Sequence, residues 1–177
     1  MSAIRLAGLA LGVATLAACA AAESSVPSLP VQTVGPARTV SPAVNLTRAE
    51  LVRVLAVGNL LLTDTQAPVR PAESALLANA PRAVFQVTLP ADPTRGYVVV
   101  YEFSDSSRAA QAAAEEQQYL ASGPGRVQTP EGTIHVLRQV GPTVVLYDWL
   151  PGAARDPSAP KVQAALETLG VGFPVDR

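Results

Sequence analysis

His135 and Asp148 are a candidate acid–base pair. His135 is the only histidine, and a histidine held by a carboxylate is a common proton-transferring unit of hydrolases. A tight turn at Gly141 and Pro142 would join the two strands that carry them and place them opposite each other. A hydrolase also needs a nucleophile or substrate within reach, and the sequence points to none. The structural alternative is a cross-strand pair that contributes about 0.2–1 kcal/mol.

Glu102 and Asp148 offer a second chemistry, because two carboxylates about 5–9.5 Å apart can hydrolyse a glycosidic bond. Acids near strand ends are also common for solubility alone. The sequence contains no Gly-x-Ser-x-Gly, phosphate-binding or dinucleotide-binding motif. One cysteine and one histidine cannot form the usual zinc sites. We therefore expect no cofactor and no metal, no catalytic residue among these candidates, and a non-enzymatic protein in preference to a hydrolase.

Cys19, the only cysteine, closes the stretch "LAAC" at the end of an apolar N-terminal run. Arg5 supplies a positive charge before the uncharged stretch 6–18, which is shorter than the roughly 20 residues that span a bilayer as a helix. This order of features resembles the signal peptide and lipobox of bacterial lipoproteins. The resemblance covers about the first 20 residues. It implies that Cys19 receives a diacylglyceryl group and becomes the first residue of the mature chain.

The resemblance also implies a place for the protein: the cell envelope, on the extracytoplasmic side, at the outer membrane or the outer leaflet of the plasma membrane. We expect a signal peptide at 1–18, a lipidated and Pro-rich tether at 19–46, and a single domain at 47–177. The partners would be the membrane, through the lipid anchor, and an envelope protein or a second copy. A net charge of -1 with scattered basic residues argues against nucleic acid as a partner.

Hydrophobic periodicity and turn residues predict a small α+β domain. Thr47 and Glu50 form a candidate capping box for a first helix over 47–62. Ser104 or Asp105 can cap an Ala-rich helix that runs to about residue 121, and Asp156 can cap a last helix. Four strands are predicted, over 83–89, 97–103, 133–140 and 143–149.

The stretch "VVVYEF" at 98–103 returns as "VVLYDW" at 144–149, which suggests two β-β-α units. We therefore predict one antiparallel sheet of about four strands, with helices packed mainly on one face and one additional N-terminal helix. Val140 facing Thr143 across the second hairpin would set His135 opposite Asp148.

Odd-with-odd pairing in the first hairpin would give the sheet a core face and an opposite face. The opposite face would carry a candidate binding or dimer surface of seven residues: Val98, Val100, Glu102, His135, Val144, Leu146 and Asp148. An apolar stripe bordered by polar groups is typical of a binding surface. Three interpretations stay open: the first helix covers it, a second copy pairs with it, or a ligand binds it.

The leading hypothesis is a membrane-anchored lipoprotein that acts as a non-enzymatic binding or accessory module of the envelope. One alternative is an envelope hydrolase that uses His135 with Asp148, or carboxylates. Another is a structural lipoprotein that self-associates through the open face of its sheet.

Overall fold

A computed structural model describes residues 41–176, which form an α+β fold around one antiparallel sheet. The sheet has six strands in the order β1-β2-β3-β5-β4-β6. The predicted signal peptide, the lipidation site at Cys19 and most of the predicted tether lie outside the described residues. None of the helices within 41–176 is long and apolar enough to cross a membrane.

Two β-hairpins form the middle of the chain and are separated by two helices. The strands are β1 (Leu62–Asp64), β2 (Arg82–Val87), β3 (Tyr97–Glu102), β4 (Ile134–Val140), β5 (Thr143–Trp149) and β6 (Val171–Gly172). The helices are α1 (Pro42–Val57), α2 (Ala75–Asn79), α3 (Ser106–Ala121), α4 (Gly123–Gln128) and α5 (Ala159–Leu166). All four predicted strands are present as β2 to β5, and α3 begins after Asp105 as predicted, with the Asp105 side chain accepting from the Arg108 amide at 2.8 Å.

Helix α1 begins five residues before the predicted capping box. Ser41 is the N-cap and accepts a hydrogen bond from the Val44 amide at 3.2 Å, while Pro42 takes the first helical position, where its missing N–H costs nothing. Thr47 is instead buried inside the helix, and its hydroxyl lies 2.8 Å from that of Thr143. The predicted helix over 47–62 was therefore wrong at both ends, since α1 ends at Val57 and Leu62 opens β1.

The second hairpin has the predicted register. Val140 lies opposite Thr143 and His135 opposite Asp148, because a two-residue turn leaves no freedom in the pairing. The first hairpin was predicted wrongly: Phe85 pairs with Val98, so odd residues of β2 face even residues of β3. A slip of one residue moves every side chain of a strand to the other face.

The predicted seven-residue surface is divided between the two faces of the sheet, because β3 pairs with β5 so that even residues of one strand face odd residues of the other. Strand alternation and the β3–β5 pairs put Val98, Val100 and Glu102 on a first face, together with Tyr147 and Val145. The other four residues share the second face: His135, Val144, Leu146 and Asp148. No single open face carries all seven, and the expectation that they share one was wrong.

Helices cover both faces, whereas the sequence suggested mainly one. Helices α1 and α5 pack on the first face, where Leu51, Leu55 and Leu166 are fully buried. Helices α2 and α3 pack on the second face, and three alanines of α3 are fully buried there: Ala109, Ala112 and Ala113. The reason is that β3 and β5 are apolar on both sides, as strands buried on both faces are.

The sheet has six strands because two short strands extend the predicted four. β1 pairs with β2, and β6 pairs with β4. Three and two residues are too few to show a period of two in the sequence.

Candidate functional site

A cavity of about 230 Å³ opens at the end of the sheet where β3 begins and β5 ends. Three connecting segments, near residues 69–71, 89–96 and 150–159, complete its wall. Its lining is largely apolar, with charged side chains at intervals. The lining includes the charged residues Arg70, Asp92, Arg95 and Asp148, together with Tyr97, Val99, Leu146 and Ala154.

The sheet contributes the innermost part of this lining from its second face. Val99 and Leu146 are a cross-strand pair and are almost completely buried. Tyr97 and Asp148 are the next residues outward on the same two strands, one position beyond the Val98–Tyr147 pair. The register therefore sets an aromatic ring and a carboxylate side by side above an apolar floor.

His135 is hydrogen-bonded to Asp148 but is not itself part of the cavity lining. The His135 Nδ1 atom lies 2.6 Å from Asp148 Oδ1, and the side chains are 1% and 19% exposed respectively. Asp148 lines the cavity and His135 does not. The predicted contact between these two residues is confirmed.

The order of these two groups matters for the chemistry. In a nucleophile–histidine–carboxylate arrangement the imidazole faces the substrate and the carboxylate lies behind it. Here the carboxylate faces the cavity, and His135 Nε2 is buried with no hydrogen-bond partner among residues 41–176. This arrangement orients a carboxylate toward a ligand; it does not deliver a histidine to one.

A second carboxyl group, that of Glu116 on α3, interacts electrostatically with Asp148. It is fully buried on α3, and its Oε2 accepts a hydrogen bond from the Ser74 amide at 2.7 Å. Its Oε1 has no partner within the described residues. The pKa of Glu116 is raised to about 7, mainly by burial and to a smaller extent by the nearby carboxylates of Asp148 and Glu73, while the hydrogen bonding with Ser74 lowers it.

A third carboxyl group, that of Glu73, accepts two hydrogen bonds on one oxygen. Its Oε1 accepts hydrogen bonds from the Tyr101 hydroxyl at 2.7 Å and from Arg82 Nη1 at 2.6 Å. Burial raises the pKa of Tyr101, and the bond to Glu73 raises it further. This cluster fixes the segment that leads into α2, just after the part that lines the cavity.

Two aspartates tie the remaining walls of the cavity together. The Asp156 carboxylate accepts from the Ala91 amide at 2.9 Å, and the Asp92 carboxylate accepts from the Arg155 amide at 3.4 Å. Each loop thus supplies the acceptor for the other loop's backbone. Both aspartates are buried, and the bonds from Ala91 and Ser158 hold the pKa of Asp156 below its ordinary value.

Some of the charged side chains that line the cavity are paired with an opposite charge, and others are not. Arg95 lies 3.4 Å from Asp92, so these two neutralise each other. Arg70 is exposed to water. The Asp148 side chain has only the histidine as its hydrogen-bond partner among the described residues. Of the two aspartates in the lining, Asp92 is paired with an arginine and, among the described residues, Asp148 is not.

The structure separates Glu102 from Asp148, so the paired-carboxylate hypothesis was wrong. Glu102 pairs with Thr143, five residues from Asp148 along β5 and on the other face. At about 3.4 Å per residue the separation along the strand is about 17 Å, well beyond the span of a glycosidase pair.

Sequence reasoning missed Glu116, Tyr97 and the loops that complete the cavity. Glu116 had a signal, because it lies on the helical stripe that includes Ala109, Ala112 and Leu120. A carboxyl group on the apolar stripe of a helix indicates a buried acid.

Within residues 41–176, no three His, Cys, Asp or Glu side chains lie close enough to share a metal ion. Comparison with known proteins found no matching family model, no similar curated protein and no similar solved structure. The site must therefore be interpreted from its own chemistry.

Proposed function

We propose that this protein is a lipid-anchored lipoprotein of the bacterial cell envelope and that its folded domain is a non-enzymatic binding module. Two separate features support the two halves of the proposal. The lipobox-like stretch ending at Cys19 supports the anchor. The cavity at the end of the sheet supports binding of a small ligand.

The observation that best supports a binding function is the position of the Asp148 carboxylate in the cavity lining. A carboxylate that opens into an apolar cavity, and that a buried histidine holds in place, is an oriented polar group in a concave apolar site. Such a combination is characteristic of ligand sites. A carboxylate needed only for solubility would sit on the open surface, where water solvates it fully.

The alternatives are less well supported. A hydrolase would need His135 Nε2 at the cavity, and that atom is buried behind Asp148. Self-association through an open sheet face would need an exposed apolar surface. Val100 and Leu146, which represented that surface, are 0% and 1% exposed.

The binding function can be tested by blocking the cavity. Ala154 lines it, and the adjacent Ala153 lines only a neighbouring polar groove. Both positions are partly exposed, so a larger side chain is accommodated without unfolding. We expect Ala154→Phe to abolish binding of small aromatic probes by the full chain in lipid nanodiscs, and Ala153→Phe to preserve it. Equal binding by both variants would contradict the cavity as the site.

The anchor needs its own test. We expect the intact mass and metabolic lipid labelling of the native protein to show a lipidated chain that starts at Cys19, and Cys19→Ala to lose the label. An unlipidated wild-type chain cut elsewhere would refute the anchor without affecting the binding test.

A further inference from the structure

We propose that the cavity binds small organic ammonium compounds, with the cationic group paired to Asp148 and an apolar group on the floor beneath it. This inference rests on the proposed function, because it names the class of ligand for the same cavity. Three features support it: the hydrogen bonding of Asp148, the pairing of the other charges and the shape of the lining.

The Asp148–His135 hydrogen bond is compatible with a neutral histidine, and in that form the pair carries the charge of the carboxylate. A neutral imidazole can donate from Nδ1, so the 2.6 Å contact needs no charge on the histidine. The Asp148 side chain makes no other hydrogen bond with the described residues, which leaves its second oxygen able to accept from a ligand. An ionised carboxylate beside apolar groups is costly unless a cation or donors satisfy it.

The neighbouring charges increase this preference. Arg95 is already paired with Asp92, and Arg70 is exposed, so solvent and salt screen it. Glu116, whose charge interacts with that of Asp148, is a further buried carboxyl group and contributes no positive charge. A carboxylate or phosphate ligand would therefore meet Asp148 as a like charge, whereas an ammonium group would meet its complement.

The lining suits an apolar group attached to that ammonium. Val99 and Leu146 provide an apolar floor, and Tyr97 lies beside Asp148 at the strand ends. An aromatic ring next to a carboxylate is a favourable site for an organic cation. At about 230 Å³, the cavity is smaller than the roughly 300–1,000 Å³ of drug-sized sites. The ligand therefore has about one ring or a short alkyl chain.

Benzylamine, benzyl alcohol and benzoate test the proposal, because they share one ring and differ in the charge of the polar group. We expect isothermal titration of the full chain in nanodiscs, with empty nanodiscs as the blank, to show benzylamine binding about 10-fold or more tighter than the other two. Asp148→Asn preserves the shape and an acceptor for His135. It should reduce benzylamine affinity to that of benzyl alcohol and leave benzyl alcohol affinity unchanged.

Asp64→Asn is the matched control. Asp64 lies on the edge strand β1, forms a salt bridge with Arg48 and does not line the cavity. The variant should leave all three affinities unchanged. Equal affinities for the three probes, with binding still lost in Ala154→Phe, would overturn the ammonium proposal and preserve the binding function. Tightest binding of benzoate, lost in Arg70→Gln, would overturn it in favour of an anion site. Failure of all three probes to bind would overturn both proposals.

Discussion

Tyr101 and Tyr147 hold the same place in the repeated sequence stretch but point to opposite faces of the sheet. Tyr101 pairs with Val144 on the second face, and Tyr147 pairs with Val98 on the first. Both rings are almost completely buried. Only Tyr101 has a partner for its hydroxyl among residues 41–176, the Glu73 carboxylate at 2.7 Å. The two tyrosines therefore have similar sequence neighbours but different structural environments. Likewise, α3 and α5 lie on different sides of the sheet.

This difference predicts unequal effects of removing the two hydroxyl groups. Tyr101→Phe should lower the free energy of unfolding by about 1.5–3 kcal/mol, because it removes a hydrogen bond to a charged group. Tyr147→Phe should change it by less than about 1 kcal/mol, because no bond is lost. Urea unfolding of the two variants measures the difference. Equal losses would show that Glu73 is satisfied without Tyr101.

Glu116 predicts a pH dependence of stability. Its pKa is about 7 in the folded protein against an ordinary 4.5, so the folded state binds the extra proton between those values. This proton binding adds up to about 3 kcal/mol to the free energy of unfolding. The stabilisation is fully present below about pH 4.5 and is lost as the pH rises through about 7.

Glu116→Gln removes this titration and retains an acceptor for the Ser74 amide. We expect the variant to match the wild type at about pH 5 and to be more stable than it above about pH 8. Urea unfolding across this range checks the expectation. Parallel pH profiles of the two proteins would mean that Glu116 titrates normally.

Asp156→Ala should loosen the cavity wall, because it removes the acceptor for the Ala91 and Ser158 amides. We expect faster amide hydrogen exchange around residues 89–96 and weaker binding of the benzyl probes. Asp105→Ala, which removes a cap at the start of α3 far from the cavity, is the control. It should lower the melting temperature and leave binding unchanged. Unchanged hydrogen exchange around residues 89–96 in the Asp156→Ala variant would show that these hydrogen bonds do not stabilise the cavity wall.

Val100→Glu should prevent folding, because it places a carboxylate at a fully buried position between the sheet and α1. Leu46→Glu, at a position that is 72% exposed, should be tolerated. Circular dichroism and size-exclusion chromatography of both variants test this. A folded monomer obtained from a wild-type dimer by Val100→Glu would instead restore the hypothesis of self-association through this face.

The sequence predicts local structure here better than it predicts faces. The turn at Gly141 and Pro142 fixes the pairing of β4 with β5, and this brought His135 to Asp148 correctly. The longer connection between β2 and β3 leaves the register free by one residue, and that residue decides which side chains share a face. Turn chemistry thus determined one hairpin and left the other ambiguous.

The cavity itself could not be predicted from the sequence. Asp148 is on a strand, but the rest of the wall comes from segments separated by tens of residues along the chain. Their meeting depends on contacts such as Asp156 with Ala91, which span 65 positions. No local pattern encodes such a pair. The two short outer strands were missed for the opposite reason, since each is too brief to carry any pattern.

Those outer strands have a further consequence for how copies of this protein behave at high density. β1 offers three residues and β6 two for pairing with another chain, and each covers part of the longer strand beside it, Phe85–Val87 of β2 and Arg138–Gln139 of β4. Long unprotected edges are where sheets join into larger aggregates. A domain whose sheet ends in such short strands can be crowded beside its neighbours with little tendency to polymerise.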